Sequence, residues 1–168
     1  MALKRIPQSE WAERAEADFW VPYGRKRKFQ PKNTVVKKQY EELLRNNSDQ
    51  AKAFVLRLAS NEEELSSIRG RAYLYLSQLS QKEDEINQAI DYAIRCCLMG
   101  LEKDADMYTR LSCDNGAVAL IRLISNYAHH HRAAEAAEVI RQTPIGLGSQ
   151  GLRMVQRAGM LSLAGERD

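Results

Sequence analysis

Proline is scarce in this chain and missing from most of it. The 168 residues include four prolines, and none lies between Pro31 and Pro144. That stretch is rich in Ala, Leu, Glu, Gln, Lys and Arg, so nothing in it breaks the backbone hydrogen bonds of a helix. Strict alternation of apolar and polar residues, the pattern of a half-buried strand, is also missing. The sequence therefore predicts an all-α protein.

Other absences narrow the class of protein. No stretch approaches the roughly 18 apolar residues that a membrane span needs. The first 20 residues lack the apolar core of a secretory signal, so we expect a cytoplasmic protein. The three cysteines, Cys96, Cys97 and Cys113, are odd in number, which argues against a closed disulfide framework. We expect the adjacent pair to be small buried core residues.

Recognisable catalytic motifs are missing too. The sequence has no P-loop, H-E-x-x-H, C-x-x-C or EF-hand loop. Residues 146–151 match G-x-G-x-x-G, but a predicted helix precedes them where a dinucleotide site needs a strand, so we interpret them as a flexible linker. Acidic clusters at 62–64 and 83–85 open predicted helices, where the dipole favours negative charge. We therefore expect no enzyme, no cofactor and no metal.

Three consecutive histidines, His129, His130 and His131, could suggest a metal site. Neighbours on a helix do not share a face, and ligands need a spacing of three or four residues. Glu135, four residues after His131, offers one poor pairing. The sequence predicts instead a polar helix end, where imidazole meets the negative pole of the dipole.

Apolar residues recur at three- and four-residue steps over 65–79, 86–101 and 117–128, which places them on helical faces. With Pro and Gly as breaks, we predict helices at about 9–19, 34–46, 48–59, 61–79, 82–99, 102–112, 115–129, 131–142 and 150–163. The predicted core contains Leu65, Ile68, Leu76, Ile86, Ile90, Ile94, Leu98, Leu120, Ile124, Val139, Ile140 and Val155.

Capping residues predict several of these helix boundaries. Ser60 and Ser80 are each followed three residues later by Glu, as in a capping box. Gly100 is a candidate C-cap, since glycine commonly ends helices. Asp114 or Asn115 is a candidate start of the helix at 115–129.

A basic segment with aromatic residues lies near the beginning of the chain. Residues 25–38 carry seven positive charges and no acid, and two prolines and a glycine keep 20–33 extended. Basic groups neutralise phosphates and aromatic rings stack on unpaired bases. The same groups suit an acidic protein partner, an anionic membrane surface or a solvated loop docked on the bundle. The candidate binding residues are Trp20, Tyr23, Arg25, Lys26, Arg27, Lys28, Phe29, Lys32, Lys37 and Lys38.

Residues 117–144 read as two helices joined by a tight turn near the histidines and followed by Pro144. This resembles a tetratricopeptide-type helix–turn–helix unit, in which small residues such as Ala133, Ala134, Ala136 and Ala137 let paired helices pack closely. Residues 72–101 resemble a second copy, although the Trp, Leu and Gly of the first helix are missing. The resemblance implies peptide or protein binding in a concave groove, as in small bacterial secretion chaperones.

These observations predict an antiparallel helical bundle or short helical-repeat array with a basic extended N-terminal arm. We expect residues 1–33 to form an N-terminal helix and the arm, and 34–168 a helical domain. The expected function is protein–protein interaction without catalysis, as an adaptor, chaperone or assembly subunit, with self-assembly as one form. The alternative is nucleic-acid binding through the aromatic and basic arm at 19–38.

Overall fold

The computed structural model describes residues 32–143, which fall into two compact units divided after Ser48. All regular secondary structure in this range is helical, which confirms the predicted all-α class. The α-helices are α1 (Lys32–Asn46), α2 (Ser48–Ser60), α3 (Ser66–Lys82), α4 (Ile86–Leu98), α5 (Met107–Asn126) and α6 (Ala133–Gln142), with 3₁₀ turns at Met99–Leu101 and His130–Arg132. The predicted helices at 9–19 and 150–163 lie outside the described residues, as do Pro144 and Val155.

The described part of the first unit is α1, an amphipathic helix. Val36 and Tyr40, one turn apart, are buried, whereas Lys37, Lys38 and Glu41 are exposed. Apolar residues at a four-residue step share one face, so this helix buries one side and solvates the other.

In the second unit, α3, α4 and α5 pack against one another, and α6 packs on α4 and α5. Helix α3 is buried along most of its length, including Ile68, Ala72 and Leu76. The core cluster of the last three helices is built largely from alanines and aliphatic residues: Ile86, Ala89, Ile90, Ala93, Ile94, Cys97, Cys113, Ala117, Leu120, Leu123, Ile124, Ala133, Ala136, Ala137, Val139 and Ile140. The predicted core residues in the described range are buried here, except Leu65 and Leu98, which are half-buried.

Small residues let α4 and α5 approach each other closely. A Cβ atom added at Gly116 would lie 3.2 Å from the carbonyl oxygen of Ala93 and 3.0 Å from the Sγ of Cys96. Real Cβ atoms are rarely this crowded, because interiors are packed close to their van der Waals limits. Gly116 is therefore required by the separation of the two helices rather than by a turn.

The predicted start of a helix at Asp114 or Asn115 is wrong, because α5 runs without a break from Met107 to Asn126. The sequence Asp-Asn-Gly suggests a turn, but its glycine serves helix packing. The observed N-cap is Asp106, whose Oδ1 accepts a hydrogen bond from the backbone N–H of Thr109 at 3.0 Å. The hydroxyl oxygen of Thr109 in turn accepts a hydrogen bond from the backbone N–H of Asp106, which completes a capping box.

Both serine capping boxes are also wrong. Ser60 is the last residue of α2, and α3 begins at Ser66 after a turn in which the side chain of Asn61 accepts the N–H of Glu63. Ser80 lies in the last turn of α3 and is buried. In each case the Ser-x-x-Glu spacing is compatible with the start of a helix, but the serine belongs to the last turn of the preceding helix.

Helices α3 and α5 end in the same way. After α3, Asp84 has a positive φ of 60°, and the N–H of Glu85 donates to the carbonyl of Ser80 at 2.9 Å. After α5, Ala128 has a φ of 55°, and the N–H of His129 donates to the carbonyl of Ile124 at 3.1 Å. These are Schellman motifs, which satisfy the last carbonyls of a helix and turn the chain sharply.

Helix α4 ends differently from the prediction. Its C-cap is Met99, and Gly100 lies within the 3₁₀ turn that follows instead of ending the helix. Met99 and Gly100 are both buried, so the chain stays packed on the bundle at this end.

Candidate functional site

The predicted binding arm is described only at its end. Lys32, Lys37 and Lys38 lie on α1, whereas Trp20, Tyr23, Arg25, Lys26, Arg27, Lys28 and Phe29 lie outside the described residues. Lys37 and Lys38 are exposed. Glu41 lies four residues after Lys37 and Glu42 four residues after Lys38, so each acid is one turn along the same side of the helix. The described end of the arm therefore presents mixed charge rather than a purely basic face.

The three thiols hold α4 and α5 together. The Sγ of Cys96 donates to the carbonyl of Ser112 at 3.2 Å. Cys97 and Cys113 bond reciprocally, each thiol donating to the other residue's carbonyl, at 3.6 and 3.2 Å. All three side chains are fully buried, as predicted for Cys96 and Cys97.

Burial also decides the chemistry of these thiols. Desolvation, with a smaller contribution from Cys113, raises the pKa of Cys96 far above the ordinary range of a thiol. The thiolate is the nucleophilic form of cysteine. Cys96 is therefore a packing residue and a weak donor, not a nucleophile.

A polar junction joins the starts of α3 and α5. The backbone N–H of Ser66 donates to Oδ2 of Asp104 at 2.9 Å, and the hydroxyl oxygens of Ser66 and Thr109 are 3.1 Å apart. Thr109 is tied in turn to Asp106 by the capping box. These bonds satisfy N–H groups that the first turn of a helix leaves without intrahelical partners. The Asp-x-x-Thr spacing was the signal in the sequence that could have located this junction.

Arg132 connects the turn between α5 and α6 to α4. Its guanidinium donates to Oδ1 of Asp91 at 2.7 Å, to the carbonyl of Asn87 at 3.1 Å and to both carboxylate oxygens of Glu135 at 3.0–3.2 Å. The side chain is only 14% exposed, so these bonds are partly shielded from water. Sequence reasoning missed this contact because Asn87 and Asp91 lie more than 40 residues away along the chain.

The histidines lie just beyond the end of α5, which stops at Asn126 and not at 129 as predicted. The Nδ1 atom of His129 lies 2.8 Å from the carbonyl oxygen of Tyr127. The rings of His129 and His131 have centroids 5.4 Å apart and are tilted by 38°. Within residues 32–143 no group of three or more His, Cys, Asp or Glu side chains is placed to hold a metal ion.

Among the helices of this same range, none combines the length and apolar character required to cross a bilayer. Comparisons of the chain with protein-family models, with curated proteins and with solved structures found no match. Inferences about its function therefore depend on its own residues and their geometry.

Proposed function

We propose that this protein acts through protein–protein interaction rather than catalysis, as an adaptor, chaperone or assembly subunit. One observation carries the proposal: the thiols, Asp106 and Arg132 of the second unit are used to hold the helices together. The thiols bond to carbonyls across α4 and α5, Asp106 caps α5, and Arg132 ties the α5–α6 turn to α4. A nucleophile or general base is held ready for substrate, whereas these groups are engaged with the fold.

The architecture that we propose with this function is an antiparallel bundle or short helical-repeat array. Two features support a tetratricopeptide-like pair formed by α5 and α6. The helices are joined by a short turn at 127–132, and Ala133, Ala136 and Ala137 of α6 are buried in the shared core. Ala134, the fourth alanine of the resemblance, is exposed. Packing through small residues brings helices close enough to form a continuous surface for a peptide or a neighbouring subunit.

Two measurements test the interaction proposal. The first is light scattering of the full chain across a wide concentration range, where self-assembly predicts a molar mass that rises above the 19.1 kDa of one chain. The second is affinity purification from native extract with and without nuclease, followed by cross-linking of the co-purified protein. Two results together would contradict the proposal: the chain stays monomeric at every concentration, and every protein that co-purifies with it disappears after nuclease treatment.

Nucleic-acid binding through the arm is the second candidate. It is favoured by the seven positive charges without an acid in residues 25–38 and by the exposed positions of Lys37 and Lys38. Phosphate contacts release counterions, so affinity for single strands should fall with salt at a log–log slope of about −0.7 per contact.

The test is fluorescence anisotropy of a labelled single-stranded oligonucleotide. Reversing three arm charges to Glu (Arg25, Arg27 and Lys28) should abolish binding. A matched variant that reverses the exposed Arg57, Arg95 and Arg122 changes the net charge equally and should bind like wild type. Equal losses in the two variants would attribute binding to overall charge and exclude the arm as a site.

A further inference from the structure

The turn after α5 brings together two histidine rings that a helix would keep apart. In an α-helix, side chains two residues apart point to nearly opposite sides. Here the backbone of His129 is not helical, with φ −95° and ψ 40°, and His130–Arg132 form a 3₁₀ turn. This change of direction places the ring centroids of His129 and His131 5.4 Å apart. Helical spacing therefore does not keep these two rings apart, and both can face one metal ion.

The distance between the rings matches the requirement of a shared metal ion. Zinc bonds an imidazole nitrogen at about 2.1 Å, and the ring centre lies about 1.1 Å beyond that nitrogen, so two rings at the tetrahedral angle have centres about 5.2 Å apart. The observed separation differs from this value by about 0.2 Å. The spacing of the rings is therefore compatible with two imidazole nitrogens on one ion.

The hydrogen bond of His129 prepares one of these nitrogens. A carbonyl oxygen can only accept, so Nδ1 of His129 carries the proton that it donates to Tyr127 at 2.8 Å. In the neutral ring this leaves the lone pair on Nε2. Metal-binding histidines commonly donate their other ring N–H to a carbonyl or carboxylate in this way, which fixes the tautomer and the ring orientation.

We propose that His129 and His131 form a surface site for a divalent transition metal ion of the class that prefers imidazole, Cu²⁺, Ni²⁺ or Zn²⁺. Glu135 is not a further ligand, because both of its carboxylate oxygens accept hydrogen bonds from Arg132. Water completes the coordination, since His131 is exposed and His129 half-buried. The bound ion links two residues within the α5–α6 turn and therefore stabilises the folded state.

His130 supplies a matched control, because it lies between the two ligands and is exposed. The experiment is calorimetric titration of metal-free full-length protein with CuCl₂, NiCl₂ and ZnCl₂ at about pH 7.5, where imidazole is largely neutral. His129→Gln, His131→Gln and His130→Gln are compared, and circular dichroism establishes that each variant is folded. The three thiols do not compete in the folded protein, since they are fully buried.

The proposal predicts one bound ion per chain for wild type and His130→Gln, with Cu²⁺ bound more tightly than Ni²⁺. His129→Gln and His131→Gln should each weaken binding at least tenfold and lose the rise in melting temperature that the metal gives to wild type. The site is refuted if His130→Gln weakens binding as much as the other two changes. It is equally refuted if either ligand variant binds like wild type, or if wild type binds none of the three metals.

Discussion

The close approach of α4 and α5 predicts the effect of adding one methyl group at Gly116. In Gly116→Ala the new Cβ would lie 3.2 Å from the carbonyl oxygen of Ala93, 3.2 Å from the Cβ of Cys96 and 3.0 Å from its Sγ. The first two atoms belong to the rigid part of α4. The Sγ is held by its hydrogen bond to the carbonyl of Ser112. None of the three can withdraw alone, so the helices must separate.

Two opposing contributions determine the size of the effect. Replacing glycine by alanine inside a helix stabilises it by about 1 kcal/mol, because the unfolded chain loses conformational freedom. Inserting a methyl group into a packed core costs about 1–3 kcal/mol. With a midpoint of about 2 kcal/mol for the second contribution, Gly116→Ala should lower the free energy of unfolding by about 1 kcal/mol.

Gly70 in α3 provides the matched control. It is also a buried glycine inside a helix, but an added Cβ would lie 3.6 Å from the Cβ atoms of Met99 and Ser112, which is ordinary van der Waals contact. The gain in helix propensity is then not cancelled by strain. Gly70→Ala should raise the free energy of unfolding by about 0.5–1 kcal/mol.

Urea denaturation followed by circular dichroism measures both free energies. The two variants should differ by about 2 kcal/mol, which corresponds to a difference in melting temperature of about 4–8 °C for a chain of this size. The reasoning would be refuted if Gly116→Ala were as stable as Gly70→Ala, because α4 and α5 could then separate without cost. Unchanged denaturant slopes would establish that the comparison is between folded states of similar compactness.

Three further predictions concern a helix end, a helix start and a thiol. Ala128→Gly should stabilise the fold by about 1 kcal/mol in thermal denaturation, because glycine adopts a positive φ freely. Ala53→Gly, at an exposed position inside α2, should destabilise the fold by a similar amount. Changes of the same sign in both variants would contradict this prediction. Asp106→Ala should cost about 1 kcal/mol through loss of the N-cap, and Asp106→Asn much less, so equal losses would exclude a capping role. Burial raises the pKa of Cys96 in the folded state, so above about pH 9 only the unfolded thiol ionises. The free energy of unfolding of wild type relative to Cys96→Ala should therefore fall by about 1.4 kcal/mol per pH unit in this range. A difference independent of pH would mean that the thiol is not buried.

The features that the sequence predicts well are those carried by local patterns. The helical class follows from the lack of proline and from apolar periodicity, and α2 is predicted to within one residue because Asn47 and Ser48 interrupt two amphipathic segments. The buried face of α4 follows from the same periodicity. These properties depend on residues three and four apart, which a single sequence displays directly.

The errors arise where one residue type has two uses. Asp114-Asn115-Gly116 has the composition of a turn, but it lies inside α5 because the glycine faces α4. Ser80 and Glu83 have the spacing of a capping box, yet they close α3. Whether such residues start a helix, end one or contact a neighbour depends on elements distant in sequence, and propensity carries no information about those contacts.

The histidine turn shows why the candidate metal site depends on backbone geometry rather than on composition. Consecutive histidines on a helix diverge, and that premise led the sequence interpretation to exclude a metal. The premise fails because α5 ends before the histidines: Ala128 is left-handed in the Schellman motif, and His129, with φ −95° and ψ 40°, is no longer helical. Alanine gives no sign of a positive φ, since glycine and asparagine are the usual residues at this position. Ending α5 before the histidines is therefore what frees His129 and His131 from helical spacing, and the strain at Ala128 predicts that glycine at position 128 should preserve metal binding while raising stability.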